Sequence, residues 1–135
     1  MLFLKDISSL IGKEIGCGSE RKCYIKALDP CRCLKISKRQ NSDQTIREIK
    51  YFEFLQKRGI EASFIPKFYG AFETDDCIGY EQECFLIKEN GGIYDDVLPF
   101  DRYILSKPNE IEKIKIELMA LKSEMVNKNI ICSDL

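Results

Sequence analysis

Three short segments that alternate apolar and polar side chains constrain the fold of this chain most. They cover residues 7–15, 22–27 and 31–36. A turn with two glycines, residues 16–21, separates the first two segments, and we place a second turn at residues 29–30, where Asp precedes Pro. Alternation with period two is typical of β-strands, and glycine or proline commonly ends them. The first third of the chain is therefore predicted to be an antiparallel meander with a flexible tip between its first two strands.

A helix is predicted to follow this meander, from about residue 43 to residue 58. Gly59 stands where a glycine often ends a helix, and charged residues separate apolar residues that recur at helical spacing: Ile46, Ile49, Phe52 and Leu55. Residues 64–72 then lead through a loop into a strand, and residues 80–87 form another. The order of strands and a single helix predicts an α+β fold.

The last part of the chain has a different pattern. Residues 88–92 read as a linker or hinge, and residues 130–132 as a short buried strand. Between them we predict a long amphipathic helix, since apolar residues follow a three–four spacing: Ile111, Ile114, Leu118, Leu121 and Met125.

The composition excludes several classes of function. The chain has 135 residues, enough for about one domain. Its 21 basic and 22 acidic residues nearly cancel, so no overall field attracts nucleic acid or an anionic membrane. It has no histidine, which excludes catalysis by histidine and metal sites with histidine ligands. We see no signal peptide or spanning segment and expect a cytoplasmic protein.

The seven cysteines are interpreted as reduced thiols, because nothing in the sequence indicates export. Cys31 and Cys33 are spaced as C-x-C, and no second pair has the spacing of zinc ligands. We therefore predict no metal site, and a thiol-based redox or metal protein is the weakest of the functional hypotheses.

Residues that could bind a nucleoside triphosphate occur along the chain in one order, namely two turn glycines, a strand lysine, a helix glutamate and an aspartate. Gly16 and Gly18 would let the backbone approach phosphate oxygens, because neither carries a Cβ atom. Lys35 lies on an alternating strand and could bind the α- and β-phosphates, and Glu48 on the following helix could pair with it. Asp134 follows an apolar segment and could accept a hydroxyl proton. Each residue taken alone has a simpler interpretation, such as an ordinary turn or a solvated charge.

The whole layout resembles the small lobe and the start of the large lobe of the protein-kinase-like fold. More closely, it resembles the bacterial family of the PhoP regulatory network protein YrbL. The resemblance covers nearly the full chain, and the stretches that carry it are residues 15–24, 29–30, 33–36, 47–51, 65–70 and 131–135.

The resemblance implies an antiparallel sheet of five strands with one packed helix in residues 1–88. Residues 89–135 would then be the hinge and the first helix of an incomplete large lobe. It also implies an ATP-dependent phosphotransferase in which Lys35 and Glu48 form the ion pair that positions the phosphates. Asp134 would be the base of the catalytic loop, and residues after Ile87 would line the adenine site.

Several departures from the kinase pattern weaken the expectation of activity. Arg21 stands where the third glycine of the loop is usual, and Cys132 and Ser133 replace the customary histidine and arginine. The residues that hold Mg²⁺ in kinases would follow Leu135. We therefore expect this chain to be inactive as given, with Mg²⁺ bound only if the chain continues. The alternative is a non-catalytic module that binds a nucleotide, a protein partner or a second copy through its last helix.

Overall fold

The computed structural model describes residues 1–89, 93–96 and 100–130, with side chains omitted at 86–89, 93–96 and 100–101. It divides into two compact units. One comprises residues 1–61 and 65–96, and the other comprises residues 62–64 and 97–135. The predicted domain boundary, between a small lobe that ends at residue 88 and a hinge that begins at residue 89, stays a prediction.

The first unit is built on a six-stranded sheet with strand order β1-β5-β6-β4-β3-β2. The strands are β1 (Leu2–Phe3), β2 (Ile11–Cys17), β3 (Arg21–Lys26), β4 (Asp29–Lys38), β5 (Phe68–Glu73) and β6 (Cys77–Glu83). All neighbours are antiparallel except β1, which pairs with β5 in parallel. The prediction of five strands is one short, because two residues are too few to show an alternating pattern.

Several element boundaries differ from the prediction. The strand predicted at residues 80–87 is β6 (Cys77–Glu83), and β7 (Leu86–Glu89) extends into the linker predicted at residues 88–92.

Two further differences have local reasons. The first predicted strand is β2, which begins at Ile11 because the preceding residues form a turn, in which Leu10 N–H donates to Ile7 C=O at 2.9 Å. The predicted turn at residues 29–30 is wrong, since both residues belong to β4. The chain instead turns at Ala27 and Leu28, and Leu28 adopts a left-handed φ of 64°. Leucine is rare in that conformation, so no sequence signal marks the position.

One helix, α1 (Asp43–Lys57), contacts β4 and β6 of this sheet. Gly59 follows it with a φ of 64°, as the predicted end requires. The core between helix and sheet includes Ile49, Phe68, Ile78 and Tyr80. A separate two-stranded sheet, β7 (Leu86–Glu89) with β8 (Ile93–Asp96), completes the unit.

Helices make up most of the described part of the second unit. It contains α2 (Phe100–Ser106), one 3₁₀ turn (Pro108–Glu110) and α3 (Ile111–Asn127). The long predicted helix is therefore present as α3, with Ile114 buried. The predicted strand at 130–132 falls mostly outside the described residues. None of the helices in the described ranges is long and apolar enough to cross a bilayer.

Candidate functional site

Two of the predicted site residues, Gly16 and Lys35, lie in one row across the sheet of the first unit. Gly16 on β2 pairs with Cys23 on β3, Cys23 pairs with Lys35 on β4, and Lys35 pairs with Tyr80 on β6. Adjacent strands are about 4.8 Å apart, so the backbones of Gly16 and Lys35 are separated by about 10 Å. The register thus brings the glycine turn and the lysine to one region of the sheet.

The fold itself does not require glycine at the two turn positions. A Cβ atom added at Gly16 would lie 3.6 Å from Cys23 Cβ, and one added at Gly18 would lie 3.6 Å from the carbonyl oxygen of Arg21. Both distances are ordinary contacts, and neither residue has a left-handed φ. The N–H of Gly18 donates to the carbonyl of Arg21 at 2.8 Å and closes the turn. The missing side chains leave the backbone open to an approaching group.

Lys35 lies on the face of the sheet that α1 covers. Residues two apart on a strand share a face, and Ser37 on the same strand makes a 2.6 Å hydroxyl–hydroxyl hydrogen bond with Thr45 of α1. The Lys35 ammonium is 5.8 Å from the centroid of the Tyr80 ring. Among the described residues, no carboxylate lies within ion-pair distance of Lys35.

Glu48 is held by three residues that the sequence did not identify as part of the site. Its Oε2 accepts hydrogen bonds from Arg21 Nη1, at 2.5 Å, and from the Tyr80 hydroxyl. Its Oε1 accepts a hydrogen bond from Gln44 Nε2 at 3.3 Å. The predicted ion pair between Lys35 and Glu48 is not formed in this structure, and pairing in a bound state stays a prediction.

The surroundings of Glu48 favour its charged form. Burial alone would raise its pKa, but hydrogen bonds from Arg21 and Tyr80 and the positive charges of Arg21 and Lys35 outweigh burial and lower the pKa below its ordinary value. Burial, together with the hydrogen bond to Glu48, raises the pKa of Tyr80. Tyr80 therefore stays a neutral hydrogen-bond donor and Glu48 an acceptor.

The end of the glycine turn is tied to α1 by two successive side chains. Glu20 Oε1 accepts the backbone N–H of Thr45 at 3.0 Å, and Arg21 pairs with Glu48. The sequence offered one signal for Arg21, namely its position two residues before Cys23 on the same strand face. Tyr80 carried a weaker signal, as an aromatic residue with a polar end inside an apolar segment.

Two cysteines also lie beside Lys35. The side chains of Cys23 and Cys33 share the α1 face, and a hydrogen bond to Cys33, followed by burial, raises the pKa of Cys23. A raised pKa keeps that thiol neutral and poorly nucleophilic. Five of the described cysteines are free thiols, namely Cys17, Cys23, Cys31, Cys33 and Cys77, and within the described ranges no three metal-ligating side chains come together.

A cavity of about 520 Å³ lies beside the same turn. Neither Lys35 nor Glu48 lines it, so it is distinct from the row across the sheet. Its lining comes from the turn, β3, β4, the loop before α1 and the start of β6: Cys17, Gly18, Ser19, Glu20, Arg21, Lys22, Tyr24, Ile36, Ser37, Lys38, Asn41 and Cys77. The predicted base Asp134 lies outside the described residues, so its role stays a prediction.

Comparison with known proteins gives one family and two relatives. The family of the PhoP regulatory network protein YrbL matches residues 10–135. YrbL of Escherichia coli (strain K12) and YrbL of Shigella flexneri are each 36% identical over 90 residues, which is 64% of this chain. The matched segment covers 37% of the length of each relative, so the similarity concerns a part of those proteins.

Proposed function

Since this chain belongs to the family of the PhoP regulatory network protein YrbL, we propose that it forms the nucleotide-binding part of a kinase-like phosphotransferase. The proposal extends beyond family membership to ATP as the ligand and to phosphoryl transfer as the reaction of the whole protein. Two features of the first unit support it, namely the position of Lys35 in the row across the sheet and the architecture around that row.

The observation that carries the proposal is the position of Lys35 in register with the glycine turn. Its ammonium has no carboxylate within ion-pair distance among the described residues, and the partly exposed Arg21–Glu48 pair lies on the same face of the sheet. A cation in such a place is suited to an anionic ligand. A phosphate group at Lys35 would be within reach of the backbone at Gly16, which carries no side chain of its own.

The architecture around the row agrees with this assignment. Five antiparallel strands with one helix packed across them are what the kinase-like resemblance implies, and β2 to β6 with α1 have that arrangement. In kinases the strand lysine binds the α- and β-phosphates and the helix glutamate holds it in place. Lys35 and Glu48 come from the corresponding elements of this chain.

The chemistry assigned to the described residues is binding and orientation. Lys35 would neutralise phosphate oxygens and Glu48 would orient it, while Asp134 is proposed as the base by resemblance alone. Mg²⁺ would neutralise charge that develops during transfer. We assign it no ligand, because no group of three acidic or thiol side chains in the described ranges is arranged to hold a metal ion.

Isothermal titration of the purified chain with ATP tests the proposal. We expect binding that Lys35→Met weakens by about tenfold or more, the usual effect of losing a charge-assisted contact. Lys50→Met is the matched control, because Lys50 lies on an exposed position of α1. Absence of binding by the folded wild-type chain, or equal binding by wild type and Lys35→Met, contradicts the proposal.

One observation favours a second candidate, a non-catalytic interaction module. The exposed apolar side chains on α3 include Ile116 at 68% and Met119 at 71% of full exposure, and large exposed apolar groups are typical of interaction surfaces. Sedimentation equilibrium at increasing concentration tests self-association. A mass that rises with concentration in the wild type but not in Ile116→Glu, with no ATP binding, would favour this candidate over the first.

A further inference from the structure

Arg21 and Lys35 are two cations on the α1 face of the sheet, and the carboxylate of Glu48 pairs with Arg21. Arg21 pairs in register with Ser37, which is two residues from Lys35 on β4. Two residues span about 6.6 Å along a strand, and β3 is about 4.8 Å from β4. Arg21 and Lys35 are therefore offset from each other by one strand across the sheet and by two residues along it.

The other charged groups at this place are already engaged. Glu48 accepts from both Arg21 and the Tyr80 hydroxyl, and Glu20 accepts the N–H of Thr45. The Arg21 and Glu48 side chains retain 20% and 31% exposure, so an incoming ligand can reach the pair. If Arg21 moved to a ligand, Glu48 would still accept the hydrogen bond from the Tyr80 hydroxyl. The positive charge of Lys35 would still favour the charged form of Glu48.

We propose that Arg21 is a phosphate-binding residue that leaves Glu48 when a polyphosphate binds across Lys35, and that it makes this site selective for nucleoside triphosphates over monophosphates. The inference rests on the proposed function, because it takes Lys35 as the first phosphate contact. The guanidinium group supports it, since its planar donors match two phosphate oxygens at once.

The position of Arg21 explains why the site would prefer triphosphates to monophosphates. A triphosphate offers a separate phosphate group to each of the two cations, whereas a monophosphate held by Lys35 has no second phosphate group to offer Arg21. A chain of phosphates can span both groups. The exchange also removes one of the two contacts that tie the turn to α1, while Glu20 and Thr45 keep the other. Binding of a triphosphate would thus loosen the turn end at Arg21 and leave it anchored at Glu20.

Binding constants for ATP, ADP, AMP and inorganic tripolyphosphate, measured on the whole chain, test this inference. Arg21→Gln should weaken ATP and tripolyphosphate binding by about tenfold, as expected for one charge-assisted contact, and change AMP binding by less than about twofold. The ATP affinity of Arg21→Lys should lie between those of the wild type and Arg21→Gln. Lysine keeps the positive charge but lacks the paired donors of the guanidinium group. Lys26→Gln is the matched control, since it removes one ion-paired cation of the same strand on the opposite face.

The outcomes separate this inference from the proposed function. If the wild type binds none of the four ligands, the proposed function fails and the inference falls with it. If Lys35→Met abolishes binding but Arg21→Gln leaves the ATP-to-AMP preference unchanged, the inference alone is wrong. Thermal unfolding of each variant identifies any loss of fold, and if Arg21→Gln does not fold, an unchanged preference in Arg21→Lys would overturn the inference.

Discussion

Tyr80 and Glu81 are neighbours on β6, yet their side chains belong to two clusters on opposite faces of the sheet. On the α1 face, the Tyr80 hydroxyl and Arg21 both bond to Glu48, while no carboxylate of the described residues lies within ion-pair distance of Lys35. On the other face, Glu81 Oε1 accepts from Lys26 at 2.8 Å and from Arg32 at 2.7 Å.

The two clusters differ in how completely their charges are matched. Arg32 also contacts Asp29 at 3.2 Å and lies 3.9 Å above the Tyr69 ring, so every cation of the Glu81 cluster has a carboxylate partner. In the Glu48 cluster, Lys35 has no such partner in the part of the chain that the structure describes. A satisfied cluster of this kind stabilises the sheet, and an unsatisfied one is suited to bind a ligand. The comparison therefore favours a stabilising role for the ion pairs of the Glu81 cluster and, under the proposed function, a ligand-binding role for Lys35.

Tyr80→Ala should have the largest effect on stability. Tyr80 is fully buried and packs beside Phe52 and Phe68, with ring centroids at 5.7 and 6.0 Å. Truncation of such an aromatic ring costs about 3–5 kcal/mol. Urea unfolding measures the change, with Tyr80→Phe as the control that removes only the hydroxyl. A cost below about 1 kcal/mol for Tyr80→Ala would show that the α1 face does not depend on this ring.

Acidification should weaken both clusters. Burial would raise the pKa of Glu81, but hydrogen bonds from Arg32 and Lys26 lower it, as Arg21 and Tyr80 lower that of Glu48. A carboxylate with a lowered pKa in the folded state contributes stability that is present above the ordinary value of 4.5 and is lost as the pH falls through the folded pKa.

Urea unfolding between pH 7 and pH 3 measures this loss. We expect stability to fall mainly below about pH 5, and Glu81→Gln to flatten the acid part of the curve. Glu73→Gln is a useful comparison, because its pair with Arg39 is more exposed and should change the curve less. A profile of Glu81→Gln that is parallel to the wild type would contradict the role given to the Glu81 cluster.

The two lysines should differ in what they contribute. Lys26→Met removes an ion pair in the satisfied cluster and should cost about 1 kcal/mol of unfolding free energy. Lys35→Met breaks no ion pair among the described residues and should change stability by less than about 0.5 kcal/mol. Chemical unfolding of both variants side by side gives the difference. The reverse order would mean that Lys35, not Lys26, is the structural lysine.

Substitution of the turn glycines should have the smallest effect on stability. Gly16→Ala and Gly18→Ala place a methyl group at ordinary contact distance in unstrained backbone. We expect each to leave stability unchanged or to raise it by up to about 1 kcal/mol, because alanine restricts the unfolded chain. ATP binding should weaken at the same time.

Gly79→Ala is the contrasting control, because its Cβ atom would lie 2.6 Å from the Phe72 ring and 2.8 Å from the Lys35 carbonyl oxygen. Destabilisation by Gly16→Ala as large as that by Gly79→Ala would show that the fold requires the turn glycine.

Local patterns in the sequence predicted the elements well. The spacing of Ile46, Ile49, Phe52 and Leu55 gave α1 almost to the residue, since a helix needs a continuous apolar face to cover a sheet. Three alternating segments gave most of β2, β3 and β4. The β1 strand could not be predicted, because its two residues form a strand only by pairing with β5, far along the chain.

The candidate site was predictable only in part, for a similar reason. Spacing selected Gly16, Lys35 and Glu48, and the register places the first two in one row. The partner of Glu48 depends on a contact between residues 27 positions apart, and no local pattern reports such a contact. Arg21 therefore looked like a mere departure from the expected glycine, whereas the structure shows that it binds the site carboxylate.

A titration of the isotope-labelled chain with ATP, followed by amide NMR, tests the central claim most directly, because it reports both faces of the sheet in one experiment. The account predicts that the largest shifts occur at Gly16, Gly18, Arg21 and Lys35, while Lys26 and Arg32 change little. Shifts centred on Lys26, Arg32 and Glu81, or no shifts at all in a folded chain, would contradict the assignment of binding to the α1 face.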